Sequence, residues 1–253
     1  MSISSESVTS AGLLEAARLC PQLRCFQAPD LRQIDNTLLR MMPLCANIEH
    51  IRFTTCLYLT DAGIHAVAKN AKGLRSIQIR YSPNITNACL VSLAEHQHRT
   101  LEIFVVVESF FFPLHRVIEV NKQTFNIEAV TKFRETCTKL RVFEWERSMD
   151  FLDRCPAEDI IPHVETADRV TVLTLGQVDD VVLRTIAQHC TQLKVLNLYD
   201  VCDSIKSCSD AMFLKVVEEC RNLTALIIVD SIQRERLQSM LTAYPRVAME
   251  ADE

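Results

Sequence analysis

One stretch constrains this chain more than any other. It is Leu59 to Ile79, LTDAGIHAVAKNAKGLRSIQI. Thr60-Asp61 offers side-chain oxygens to the free backbone N–H groups at a helix start. Ile64, Val67, Ala68 and Ala71 recur at helical spacing and give that helix one apolar stripe. Leu74, Ile77 and Ile79 then fall as L-x-x-L-x-L, the alternation of a short strand. A helix and a strand this short cannot bury their apolar sides alone, so such units must stack on copies of themselves.

The copies are present. Strand phrases read PQLRCFQA from Pro21, ANIEHIRF from Ala46, KGLRSIQI from Lys72, RTLEIFVV from Arg99 and TKLRVFEW from Thr138. DRVTVLTL follows from Asp168, TQLKVLNL from Thr191, RNLTALII from Arg221 and PRVAMEAD from Pro245. Their first apolar positions, Leu23, Ile48, Leu74, Leu101, Leu140, Val170, Leu193, Leu223 and Val247, recur at steps of ~23–30 residues, with one longer step from Leu101 to Leu140. The expectation is an α/β solenoid of about nine units forming one domain over residues 1–253. A parallel sheet would line its concave face and helices its convex face. The long step predicts an enlarged repeat around 107–130, containing Phe110-Phe111-Phe112.

Eleven cysteines could point to disulfides. Their placement argues for packing instead. Cys20, Cys45, Cys137, Cys190 and Cys220 each stand three residues before a first apolar position, one repeated slot at a helix end. A free cysteine there acts as a small buried hydrophobe. The odd count and an N-terminus without a basic region or long apolar core predict a reducing compartment, cytoplasm or nucleus. A formal net charge of -5 gives no overall basic field for nucleic acid. No apolar run is long enough for a membrane span.

From Cys45 to Ile64 the chain reads Cys45, Ile48, Ile51, Phe53, Cys56, Leu59, Thr60, Asp61, Gly63, Ile64. That order resembles the cysteine-containing class of leucine-rich repeats, best known from F-box/leucine-rich-repeat substrate receptors of SCF-type ubiquitin ligases. The resemblance implies a protein-holding role in which ubiquitin-ligase subunits are among the partners. Met1 to Leu23 carries no stretch with the length and pattern of an F-box. The array opens in mid-unit, so a missing cap or a longer parent protein is expected. A scaffold unrelated to ubiquitination is the alternative reading.

Binding residues follow from the strand period, since third and fifth positions point off the core. Early strands place Arg52 and, at the seventh position, Arg80 there; later ones place Ile103, Val105, Val107, Val142, Glu144, Val172, Val195 and Tyr199. Phe111 lies at the exit of one strand as a candidate anchor. An apolar face of this kind marks a partner site unless loops or the termini cover it. Trp145 falls at an inward position and is expected in the core.

Little in the chain points to chemistry. His96-x-His98 lacks a third metal ligand nearby, and Cys202 with Cys208 lacks paired C-x-x-C spacing. Asp179-Asp180 reads as a helix cap before it reads as a catalytic pair. Neither a nucleophile elbow, a phosphate loop nor H-E-x-x-H occurs. Cys25, beside Arg24, is the one thiol to test for reactivity, with chance placement next to the arginine as the simpler reading. No catalytic residue, metal or cofactor is expected.

Overall fold

The computed structural model describes residues 9–29, 34–80, 82–107, 125–146, 161, 164–165, 167–175, 178–198, 208–228 and 231–250. It divides into two compact units, Met1–Leu140 and Arg141–Glu253.

The first unit runs α1 (Ser10–Leu19), β1 (Cys25–Pro29), α2 (Ile34–Met41), a 3-10 turn at Met42–Leu44, β2 (His50–Thr54), α3 (Asp61–Asn70), β3 (Ser76–Arg80), α4 (Asn87–Gln97), β4 (Ile103–Val107) and α5 (Ile127–Thr136). Its strands lie parallel in sequence order. The register advances by one repeat at each step, so Phe26, Ile51, Ile77 and Phe104 stand side by side. All four are buried, at 2% exposure or less. The alternation is plainest in β2, where Ile51 and Phe53 are buried while His50 and Arg52 are exposed. Helices cover the buried side: the rings of Phe104 in β4 and Phe133 in α5 are 4.9 Å apart.

The second unit repeats the scheme. It contains β5 (Val142–Glu146), β6 (Val172–Leu175), α6 (Asp180–His189), β7 (Val195–Leu198), α7 (Asp210–Glu219), β8 (Ala225–Ile228), α8 (Ser231–Met240) and β9 (Ala248–Glu250). These strands are also parallel and in sequence order. Leu173, Leu196, Leu226 and Met249 share one register row. Each unit is thus an α/β stack of helix–strand repeats, the leucine-rich-repeat solenoid arrangement. A fully buried Leu, Ile or Phe contributes about 1.5–3 kcal/mol, and most such side chains here are buried by the neighbouring repeat, so no repeat is stable alone.

Local chemistry sets the element ends. Thr9, Thr60, Thr86, Asn126 and Asp179 are N-caps whose side-chain oxygens each accept a backbone N–H of the first turn. The helix ends use the cysteine slot. Cys20, Cys137, Cys190 and Cys220 are C-caps, and Cys45 closes the 3-10 turn. Each cysteine carbonyl accepts the N–H of the apolar residue three positions on, as in Leu140 to Cys137 at 3.1 Å and Leu193 to Cys190 at 3.0 Å. That bond turns the chain from helix into strand. The thiol reaches back one repeat: Cys45 Sγ donates to Ala17 O at 3.7 Å, Cys190 to Val164 O at 3.8 Å and Cys220 to Ile186 O at 3.9 Å.

Cys20 departs from the expectation for this slot, being exposed. The others are covered by the helix before them; Cys20 ends the first described helix and has no described repeat on that side.

Candidate protein-binding faces

In the first unit, the helix-free positions of β1–β4 are Cys25, Gln27 and Pro29; His50, Arg52 and Thr54; Ser76, Gln78 and Arg80; and Ile103, Val105 and Val107. No carboxylate occurs among these residues. Arg52 is exposed and its Nε donates to Gln78 Oε1 across the strands at 3.0 Å. Arg80 is half-buried, and its Nε has no hydrogen-bond partner. Ile103 is half-buried, whereas Val105 and Val107 are 3% and 4% exposed. The expected exposed apolar surface is therefore confined to Ile103 on β4. Strand alternation sets which side a residue takes, and the burial of Val105 and Val107 shows that this part of that side is covered.

In the second unit the corresponding row is Val142, Val172, Val195 and Ala225, each in register with the next. The three valines are half-buried and Ala225 is 7% exposed. The next row brings Glu144 beside Thr174, Asn197 and Ile227. Asn197 Nδ2 donates to Thr174 Oγ1 at 3.4 Å, while Asn197 Oδ1 is buried without a hydrogen-bond partner. An aliphatic strip thus runs beside an unused acceptor, whose burial costs about 1–3 kcal/mol until a donor reaches it. Phe111 and Tyr199 lie outside the described residues, as do the side chains of Glu144 and Trp145.

Phe110, Phe112 and Cys202 also lie outside the described residues, with most of the expected enlarged repeat; most of the other residues singled out in the sequence have structural partners. Asp179 Oδ1 accepts the N–H of Val182 at 2.8 Å, and Asp180 Oδ1 accepts that of Ser209 at 2.7 Å, so the pair caps its own helix and the next. His98 Nδ1 lies 3.0 Å from Ala94 O, and His96 meets His65 edge-on at 5.6 Å between ring centroids. No group of three His, Cys, Asp or Glu among the described residues could hold a metal ion. Cys208 is buried and donates to Val178 O at 3.5 Å. Burial pushes the Cys137 thiol up to about 12. Burial, helped by the charge of Glu219, pushes Cys220 up to about 11. Cys25 is exposed and in register with His50.

Two residues carry more of the interior than their sequence context indicates. Gln97, at the end of α4, is 3% exposed. Its Nε2 donates to Ala68 O and Ala71 O, both at 2.6 Å, and its Oε1 accepts from Leu74 N at 3.1 Å and Thr100 Oγ1 at 2.9 Å. It joins two helix ends and a strand entry. Asp35 in α2 does the same for the start of α3. An i–i+4 pattern reveals neither, because both bond partners about one repeat away.

No family model and no curated protein matches the chain. Among solved structures it is similar to the Rad7–Elc1 complex of yeast, at 12% identity over 96% of this chain and 88% of that one, with a TM-score of 0.39. It is also similar to the tropomodulin C-terminal domain of Caenorhabditis elegans, at 8% identity over 92% and 99% of the two chains, with a TM-score of 0.29. Neither is similar enough to carry its role over to this chain.

Proposed function

We propose that this chain is a non-catalytic protein-binding module that serves as the substrate-recognition or scaffold subunit of a ubiquitin-ligase-type complex. The supporting observation is the row Val142, Val172 and Val195, half-exposed valines aligned across three strands of a helix-free sheet face. Such a strip leaves aliphatic surface in water with no described helix over it, and a partner's apolar side chains would remove that surface from water. The basic face of the first unit, with Arg52 and Arg80, belongs to the same reading. The ligase assignment rests on the Cys45–Ile64 phrase, which resembles F-box/leucine-rich-repeat receptors. We place the protein in the cytoplasm or nucleus, where cysteine thiols stay reduced.

Cross-linking mass spectrometry from native extract tests the binding face. Cross-links from a protein partner to Lys194, next to Val195, should vanish for Val142→Asp/Val172→Asp while the circular dichroism spectrum stays unchanged. Cross-links that survive in the folded variant would move the site elsewhere. Co-purification of a Skp-type adaptor and a cullin with the full chain tests the ligase assignment, and their absence would leave a scaffold.

A further inference from the structure

We infer that the helix-free face of the first unit binds an acidic peptide segment, with Arg52 and Arg80 as the carboxylate-holding residues. This deepens the protein-binding reading and rests on it.

Two other arginines of this unit, each just before a strand, are neutralised. At the second position of successive repeats, Arg24, Glu49, Arg75 and Glu102 alternate in sign. Arg24 lies 3.8 Å from Glu49, and Arg75 lies 4.0 Å from Glu49 and 3.3 Å from Glu102. Arg52 stands three residues beyond Glu49 and Arg80 five beyond Arg75, and neither has such a partner among the described residues. Their register neighbours are Gln27, Gln78, Thr54 and Val107. In a protein of formal net charge -5, two guanidinium groups on adjacent strands without a carboxylate among the described residues are a local reversal of sign.

The geometry favours a carboxylate over a generic anion cloud. The bond from Arg52 Nε to Gln78 Oε1 holds the guanidinium along the sheet, and its two terminal amino groups have no partner among the described residues. Those two groups form the end-on fork that matches one carboxylate in bidentate fashion. Arg80 stands two residues beyond Gln78 on β3. Its Nε is withdrawn from water and has no acceptor among the described residues, so the guanidinium's bonding capacity is not used up within the sheet. Thr54 and Gln78 add neutral polar side chains between the two cations, so an extended peptide finds hydrogen-bonding groups at strand spacing.

A second feature holds this corner rigid. Thr55, directly after β2, has φ of 58°, a left-handed conformation that costs a β-branched residue energy. It is held there by its N–H, which donates to Arg80 O at 2.8 Å. The strained turn thereby ties the exit of β2 to the backbone of Arg80. Strain of this kind gathers where a site must be preorganised.

Fluorescence polarisation of a labelled oligoglutamate peptide with the full chain tests the inference, against an oligoglutamine peptide of equal length. Oligoglutamate should bind and oligoglutamine should not, with binding weakening as salt rises from about 0.05 M to about 0.5 M. Arg52→Gln and Arg80→Gln should each weaken binding by about three- to tenfold, and Arg52→Glu/Arg80→Glu should abolish it. Arg24→Gln, removing an arginine already paired with Glu49, should leave binding unchanged. Equal binding of both peptides, no binding at low salt, or equal losses for Arg24→Gln and Arg52→Gln would overturn the inference. Val142→Asp/Val172→Asp, which tests the other unit's aliphatic strip, should retain oligoglutamate binding, so the two readings fail separately.

Discussion

The carboxylate of Asp35 in one repeat holds Thr60 of the next by two bonds. Thr60 donates its backbone N–H to Oδ1 at 3.0 Å and its hydroxyl to Oδ2. Thr60 in turn caps α3 through Ala62 N at 3.3 Å. The device recurs one repeat later, where Asp61 accepts the N–H of Thr86 at 2.9 Å and its hydroxyl at 2.6 Å. It reappears in the second unit, where Asp180 accepts Ser209 N. In these three places a helix start anchors the helix start that follows, so neighbouring repeats within each unit are registered through side chains as well as through the sheet.

Gly63 is the residue that lets Asp35 reach Thr60. A Cβ on Gly63 would overlap Asp35 Oδ1 and come within 2.9 Å of Leu59 Cδ1. Gly63→Ala should therefore destabilise the protein by about 1–3 kcal/mol, although alanine is the better helix former. Asp35→Ala should cost about 1–2 kcal/mol through the lost cap contacts. The double variant should cost clearly less than the two together, because removing the carboxylate makes room for the methyl. Urea midpoints of the three variants check this cycle; strict additivity would mean that the glycine is there for another reason.

Gln97 uses both its donors and its acceptor oxygen in the interior. Gln97→Leu keeps the volume and leaves Leu74 N, Ala68 O and Ala71 O without this partner, so a loss of about 3 kcal/mol is expected. Gln97→Glu should do comparable harm near neutral pH, since it removes both donors and buries a charge. Chemical denaturation measures both. A loss under about 0.5 kcal/mol for either would show that these backbone groups find other partners.

The raised thiols make an alkaline prediction. Burial favours the neutral form of Cys137 and Cys220, so the folded state keeps those protons to about 12 and about 11, against an ordinary 9.0. Their contribution is complete below pH 9.0, where both states are protonated. It is lost as the pH climbs from there towards about 11 to 12, because only the unfolded chain releases the protons. Stability measured at stepped pH should fall on the alkaline side, and Cys220→Ala should remove part of that slope.

Alkylation of the native protein offers an independent check. Cys20 and Cys25 are exposed, while Cys45, Cys137, Cys190 and Cys220 are buried. Iodoacetamide at mild pH should label the first two and spare the other four, read by peptide mass spectrometry. Rapid labelling of Cys137 would contradict its packing.

Much of this arrangement can be read from residue order. The L-x-x-L-x-L phrase places Ile48, Leu74 and Leu101, each fully buried, and the T-D and T-N pairs mark the starts of α3 and α4. The cysteine slot is likewise visible, because one local turn requires it. Asp35 and Gln97 are not visible in this way. Their bonds span 25 residues to Thr60 and 26 to Ala71, and an aspartate inside a helix or a glutamine at its end looks locally like solvated surface. The same holds for Val105 and Val107, placed off the helix side by alternation but buried all the same.

Residue order by itself determined the repeating unit, its strand phase and its turn from helix to strand, because each depends on neighbours within a few positions of the chain. Which polar groups bridge repeats, which valines stay open to water and which arginines go without a carboxylate were decided only when the repeats stacked. Those outcomes depend on what another repeat brings within a few ångströms, and the local periodicity does not encode that distance.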